Sequence, residues 1–343
     1  MLVTRDALRR YSLPAPYPAG AAHSRSSAWK SEHAPMPSAQ PAALIPTIFH
    51  EPWWLETASN GRHREAQVWA DGRLVGRLPY LTSRHFGMRF IGMPVLTHFL
   101  GPAVSNFPGS EATALLNRVS VVKDLVRQLP RASFVYFKHH YGISNTVAFQ
   151  ALGFQTETQF TREVAPASPE LLWRGMRDKT RNVIRRAEEQ LTVEDSTDAA
   201  GFMVFYEENL RQMGVKNYYD RAICEAVIQQ CLRRGTGRIL VAHDESGELQ
   251  SGIFTVWDHR AEYYLMSTRK TASGNGAVSL LLWQAIQHAA RKNLIFDFDG
   301  IIRPSDAKFF LGFGGELKPR YITYSHSNIY RFLSTVRRAV LSS

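Results

Sequence analysis

One stretch of this chain occurs twice. Phe137 through Phe154, ending Ala151-Leu152-Gly153-Phe154, aligns without a gap on Phe296 through Phe313, ending Phe310-Leu311-Gly312-Phe313, at a constant offset of 159 residues. Upstream, Val68-Trp69-Ala70-Asp71-Gly72 parallels Val241-Ala242-His243-Asp244 with Gly247, the second turn being two residues longer. Solenoid units repeat every 20–50 residues or so, so an offset of this size implies duplication of a whole domain. A length of 343 residues is consistent with two such domains.

Both copies predict the same order of elements. In the first, Pro52-Trp53-Trp54-Leu55 opens a helix whose tryptophans read as core anchors. Strands over 66–70 and 74–81 flank a tight Asp71-Gly72 hairpin turn, and a short strand follows near Phe90. A helix over 110–128 carries Leu115, Val119, Val122 and Val126 at helical spacing, and then come strand 133–137, helix 147–152 and strand 154–164. The second copy opens on Ser168-Pro169, a cap and first-turn pair, with a single helix expected as far as Leu191 that buries Leu172, Met176, Val183, Ala187 and Leu191. Helices over 198–213 and 220–234 are stopped by Gly214 and Gly235. Strands follow over 238–243, 248–257 and 262–267, then a glycine-bearing loop, helix 278–290, strand 294–299, helix 306–311 and strand 316–324. The fold class expected is α/β (α+β): tandem units over 46–165 and 166–343, with mixed sheets flanked by helices. The first unit reads as a scaffold and the second as the carrier of the donor and catalytic site. Residues 1–45, rich in Ala, Pro and Ser, read as a disordered tail, with a faint likeness to an organelle-targeting peptide.

A formal charge of +11 favours anionic partners such as nucleotide phosphates, tRNA or an acidic membrane face. No apolar run approaches the roughly 20 residues of a membrane helix, so the expected location is cytoplasmic or peripheral to a membrane. Cys224 and Cys231 lie seven positions apart in one expected helix, about 10 Å along its axis, too far apart for a disulfide; they read as buried thiols. The sequence has no nucleophile elbow, Walker loop or dinucleotide fingerprint.

Four features could carry chemistry. Arg174, Arg177, Arg181 and Arg185 recur at spacings of three and four, flanked by Lys179 and Arg186. On one helix face they suit a phosphate or an acidic substrate, or else form a solvated ridge. The loop Arg269-Lys270-Thr271-Ala272-Ser273-Gly274-Asn275-Gly276 joins a strand to a helix, where free backbone N–H groups favour an anion. In Phe296-Asp297-Phe298-Asp299 the alternation puts both carboxylates on one side, able to orient an amine, to act as base, or only to cap the next turn. Tyr264, beside Tyr263, could protonate a leaving thiolate or simply pack. His139 and His140 point to opposite faces of a strand and suggest no metal site.

The run Arg177-Asp178-Lys179-Thr180-Arg181-Asn182-Val183-Ile184-Arg185-Arg186-Ala187 resembles the signature helix of FemAB-like proteins in the GNAT acyltransferase superfamily. Leu280 through Ile286, Phe296-Asp297-Phe298 and Phe313-Gly314-Gly315-Glu316 resemble that family's C-terminal half, closest to its BioF2-like branch. The similarity spans about residues 46–330. It implies two GNAT-type folds, an acyl group carried by coenzyme A or by tRNA, and a primary amine acceptor on a small molecule, sugar or cell-envelope precursor. Relatives carry a lysine where this chain has Phe310; Lys308 is the nearest replacement. The expected catalytic residues are then Asp299, Lys308 and Tyr264. Arg269, Lys270, Gly274, Asn275 and Gly276 would hold acyl-CoA, and Arg181, Arg185 and Asp297 would bind substrate, with no metal. The competing readings are an aminoacyl-tRNA-dependent ligase and a non-catalytic module for an anionic ligand.

Overall fold

The computed structural model describes residues 44–85, 87–217, 219–270, 276–301, 304–328 and 330. The expected tail before Leu44 therefore lies outside the described residues. The helices are α1 (Pro52–Ser59), α2 (Glu111–Arg127), α3 (Val147–Gln150), α4 (Pro169–Gly175), α5 (Asp178–Glu188), α6 (Ala199–Gln212), α7 (Arg221–Arg234), α8 (Gly276–Arg291) and α9 (Pro304–Phe310). The strands are β1 (His63–Ala70), β2 (Arg73–His85), β3 (Met88–Gly92), β4 (Ala103–Val104), β5 (Phe134–Lys138), β6 (Gln155–Val164), β7 (Leu191–Ser196), β8 (Gly237–Asp244), β9 (Leu249–Trp257), β10 (Ala261–Arg269), β11 (Ile295–Asp297) and β12 (Glu316–His326).

These strands form one mixed sheet in the order β1-β2-β3-β5-β12-β6-β11-β10-β9-β8-β7, with β4 paired to β2. The centre of that order records the duplication. The last strand of each half sits in the other half: β12 pairs with β5, and β6 pairs with β11. The two pairings share one register. Lys138 faces Ile322, and adding 159 to the first and removing 159 from the second gives Asp297 and Glu163, which also face each other. The exchanged strands then pair antiparallel with one another from Glu316↔Glu163 to Tyr324↔Gln155. Two homologous units are joined by a reciprocal swap of their closing strands.

Local chemistry accounts for most element ends. Asp71 (φ 49°) and Gly72 (φ 70°) make the tight hairpin between β1 and β2. Side chains of Ser110, Ser168, Asp198 and Asp220 accept hydrogen bonds from first-turn N–H groups of α2, α4, α6 and α7, and Gly235 ends α7 in the left-handed conformation.

The single helix expected over 169–191 is instead two helices and the start of a strand. Met176 (ψ 153°) and Arg177 (ψ 143°) are extended, so α4 ends and α5 begins anew, and Leu191 opens β7 against Asp244 of β8. The break is held from outside, because Arg177 N–H donates to the Gly312 carbonyl. Arg174 and Arg177 consequently do not share a helix face with Arg181 and Arg185. On α2 the buried seam is Val121, Val122, Leu125 and Val126, while Leu115 remains exposed at the rim of a cavity of about 540 Å³.

Three apolar cores result. One packs α2 and α3 on the first half's sheet. Two cover opposite faces of the second half: Leu281, Ile286, Phe298 and Phe313 on the α8 side, and Trp54, Cys224, Cys231 and Tyr263 on the α6–α7 side. Trp54 comes from the first half, so α1 helps close the second. Burial pushes the thiol of Cys224 up to about 12 and raises that of Cys231 as well, and both are free. No described helix is long and apolar enough to cross a membrane.

Candidate active site at the seam between the halves

The parallel strands β10 and β11 pair from Ala261↔Ile295 to Tyr263↔Asp297 and then part. β10 runs on to Arg269, while the chain after β11 turns toward β6: Phe298 N–H donates to the Arg162 carbonyl at 3.0 Å and Ile301 N–H to the Phe160 carbonyl at 2.7 Å. Beyond Tyr263, then, β10 has no ladder partner on that side among the described residues, and a wedge opens between two parallel strands. Tyr264 stands in it, 8% exposed, its ring edge-on to Phe310 at 6.1 Å. Burial drives its phenol up to about 12, so it is protonated at neutral pH. At the far end Gly276 begins α8 in van der Waals reach of Val183 and Ala187 on α5, beside a surface cavity of about 420 Å³ that Arg186 also lines.

On the other side of β11 lies a buried charge cluster drawn from both halves. Asp297 is fully buried; its Oδ1 accepts from Thr161 Oγ1 at 2.5 Å and from the Asp299 backbone N–H at 2.8 Å, and its Oδ2 from Arg320 at 3.0 Å. Burial raises its pKa, against the pull of Arg320. Arg320 also contacts Glu163, which in turn binds Arg260 at 2.8 Å. Asp299, 2% exposed, takes a left-handed backbone (φ 59°). Its Oδ2 contacts Nδ1 of His98, and Lys138 Nζ lies 3.6 Å from Oδ1 and donates to its carbonyl at 3.3 Å. Burial lowers Lys138 to about 8, partly countered by Asp297. Burial also depresses His98, and the Lys138 charge adds to that effect.

The expected site residues fall into separate groups. Asp299 and Asp297 share one face, as alternation requires, but Asp297 is enclosed by protein partners. Lys308 is exposed on α9 with no hydrogen bond or ion pair among the described residues, whereas Phe310 is buried in the α8-side core. Arg269 donates to the Lys270 carbonyl, and Lys270 pairs with Glu248. Gly274 and Asn275 lie outside the described residues. Arg181 donates from Nη1 to the carbonyls of Trp173, Arg174 and Met176 at 3.0–3.3 Å and contacts Asp178, so it fastens the end of α4. Arg185 is exposed, stacked over Trp173 at 5.4 Å. Among the described residues no three His, Cys, Asp or Glu side chains converge as a metal site.

The residues that sequence reasoning missed are His98, Lys138, Arg320 and Glu163. A signal existed for one of them: the offset of 159 maps Lys138 onto Asp297, and the strand swap brings Lys138 within reach of Asp299.

Residues 174–307 match the family model described as an acetyltransferase (GNAT) domain, a span that holds α5, the wedge and both aspartates. The fold is similar to that of FemX, at a TM-score of 0.60 and 14% identity over 82% of this chain and 93% of that one. It is also similar to L-PGS from Bacillus licheniformis, at a TM-score of 0.51 and 12% identity over 82% of this chain and 91% of that one. No curated protein matches the sequence. Residues 174–307 are therefore an acetyltransferase (GNAT) domain that contains the wedge, and the chain as a whole has a fold similar to that of FemX along nearly all of FemX's length.

Proposed function

We propose that the protein moves an acyl group from acyl-CoA to a primary amine on a small molecule, sugar or cell-envelope precursor. The wedge between β10 and β11 is the observation that carries this reading. A donor arm with amide groups can pair with the free edge of β10 beyond Tyr263, and its phosphates can meet the backbone at the start of α8, where a helix N-terminus favours an anion. Arg269, Lys270 and the segment through Gly274, Asn275 and Gly276 would hold that end of the donor.

The amine attacks the thioester carbonyl carbon at the mouth of the wedge, near Asp299. Tyr264, held protonated by burial, is suited to donate toward the leaving sulphur. The exposed Lys308 would stabilise the oxyanion only by swinging inward; backbone N–H groups are the nearer donors. Coenzyme A as donor implies a cytoplasmic enzyme. Binding of acetyl-CoA, read as a thermal shift, together with thiol release in the presence of amines, tests the proposal. Neither a shift nor thiol release with acetyl-CoA or longer acyl-CoAs would exclude coenzyme A.

A second reading keeps the fold and replaces the donor with aminoacyl-tRNA. The exposed cations Arg174, Arg177, Lys179, Arg185 and Arg186 around the α4–α5 break favour it, since they suit a phosphate backbone. Protection of charged tRNA from hydrolysis by the protein, lost at high salt, distinguishes this donor from coenzyme A.

A further inference from the structure

A primary amine is protonated near neutral pH and attacks a carbonyl only after losing a proton, so the site needs a proton acceptor. Asp297 is unsuited, being enclosed by Thr161, Arg320 and the Asp299 backbone. Asp299 is also almost fully covered, with His98 and Lys138 against its carboxylate. His98 is different. Its Nδ1 meets Asp299 while its side chain keeps 10% of its surface open, and no hydrogen bond engages Nε2 among the described residues. Phe49 stacks on the imidazole at 6.4 Å and lies 5.5 Å from Tyr263, the residue at which β10 and β11 part. Through Phe49 the imidazole is linked to Tyr263, where the wedge begins, and with Asp299 it lies just past the end of β11 beside the α6–α7-side core.

Building on the acyl-transfer reading, we propose that His98 of the first half is the base that deprotonates the acceptor amine, with Asp299 of the second half as the positioning residue behind it. Asp299 Oδ2 lies against Nδ1 as a close contact without hydrogen-bond geometry; an Nδ1–H turned onto it would fix the tautomer with its lone pair on Nε2. The amine nitrogen bonds to the carbonyl carbon, one N–H proton passes to Nε2, and the C–S bond breaks. The ammonium gives its extra proton to solvent as it binds, and the proton that His98 takes during attack then neutralises the leaving thiolate, so amide, free thiol and one solvent proton complete the balance. The site is incomplete in either half alone.

Two charged groups bear on this imidazole among the described residues, Asp299 just after β11 and Lys138 at the end of β5, and Asp297 and Arg320 act in turn on Lys138. Burial and Lys138 depress His98, so it is neutral and able to accept a proton across the physiological range. With a base that must be neutral, kcat/KM rises with pH through a limb below the ordinary imidazole range, near 6.5.

The test uses the full-length protein, acetyl-CoA as donor and methylamine as acceptor, followed by thiol release. H98N keeps an amide near Asp299 but carries no base. The expected result is a fall in kcat of about 100-fold or more, with an unchanged KM for acetyl-CoA and loss of the acidic limb. Added imidazole should restore part of the rate in H98G. In D299N, loss of the anion behind the ring should move the limb to lower pH and reduce kcat. An H98N enzyme with wild-type rate and an intact limb overturns the proposal while leaving the acyltransferase reading standing. A wild-type protein that neither binds acetyl-CoA nor releases thiol sinks the donor reading, and the dyad is then judged by its imidazole ¹⁵N spectrum. An Nδ1–H tautomer in the wild type that is lost in D299N supports it; the opposite tautomer, or a spectrum indifferent to D299N, refutes it.

Discussion

The two halves descend from one unit yet place opposite charges at matching strand ends. Lys138 closes β5 where Asp297 closes β11, and two residues further on His140, kept neutral by burial, stands where Asp299 does. Because each half gives its last strand to the other, these ends approach across the seam, and Lys138 reaches Asp299 rather than a partner in its own half. The neighbouring histidines of the first half have turned to structure. His140 donates from Nε2 to the Pro102 carbonyl and accepts the Gly142 N–H on Nδ1, and His139 shares a 2.8 Å hydrogen bond with Thr323 of the donated strand. Duplication here produced complementary parts of one buried cluster, which neither half could neutralise alone.

The largest effect should come from removing the cation that the two halves share. R320M leaves Glu163 and Asp297 buried without it, and a loss of about 5 kcal/mol in urea denaturation is expected, the upper end for one partner of a buried ion pair. A loss below ~1 kcal/mol would mean that the cluster is solvated.

The repeat-related pair Phe137 and Phe296, at 0% and 1% exposure, comes next. F137A and F296A should each cost about 3–4 kcal/mol. Both should lower the midpoint of the same cooperative transition, because the halves share strands. Two transitions, each moved by only one variant, would show that the halves unfold separately.

Acid should act through the first half. Burial depresses His139 to about 3 and His140 to about 4, so their neutral forms contribute fully above the unfolded value of about 6.5. That stability is lost as pH falls toward 4, by about 1.4 kcal/mol per pH unit for each ring. H140Q should flatten the slope between pH 6.5 and 4; an unchanged slope would assign the acid limb to other groups.

The smallest effect is expected on the exposed face of α5. R185A removes a guanidinium stacked on Trp173 and should cost less than about 1 kcal/mol. Donor affinity is the informative readout there: an unchanged acetyl-CoA shift alongside weakened tRNA protection would favour the tRNA donor.

Much of the fold was legible because local rules decided it. Asp71-Gly72 admits little but a hairpin turn, and Asp198, Asp220 and Gly235 mark helix ends by hydrogen bonds made within a few residues. The break between α4 and α5 was not legible, since it depends on the Gly312 carbonyl over a hundred residues away. β7 was missed for a related reason: Leu191 continues the four-residue spacing of Val183 and Ala187, compatible with a helix until Asp244 of β8 pairs with it. Of the site, the aspartates and Tyr264 could be read from strand alternation and position. His98 could not, because it lies in a loop and acquires meaning only when Asp299, 201 positions later, is laid against it.

The exchange of closing strands also bears on how the chain is made. Phe134 finds its partner in His326, 192 positions downstream, and the intervening β6 is held by a strand of the second half. During synthesis the first unit must wait, with β5 and β6 unjoined, until β12 has left the ribosome. Contacts so distant in sequence slow folding and leave strand edges open to wrong partners. Removing β12 would leave β5 and β6 without the strand that joins them, so the expected outcome of such a truncation is loss of the folded first unit as well as the second.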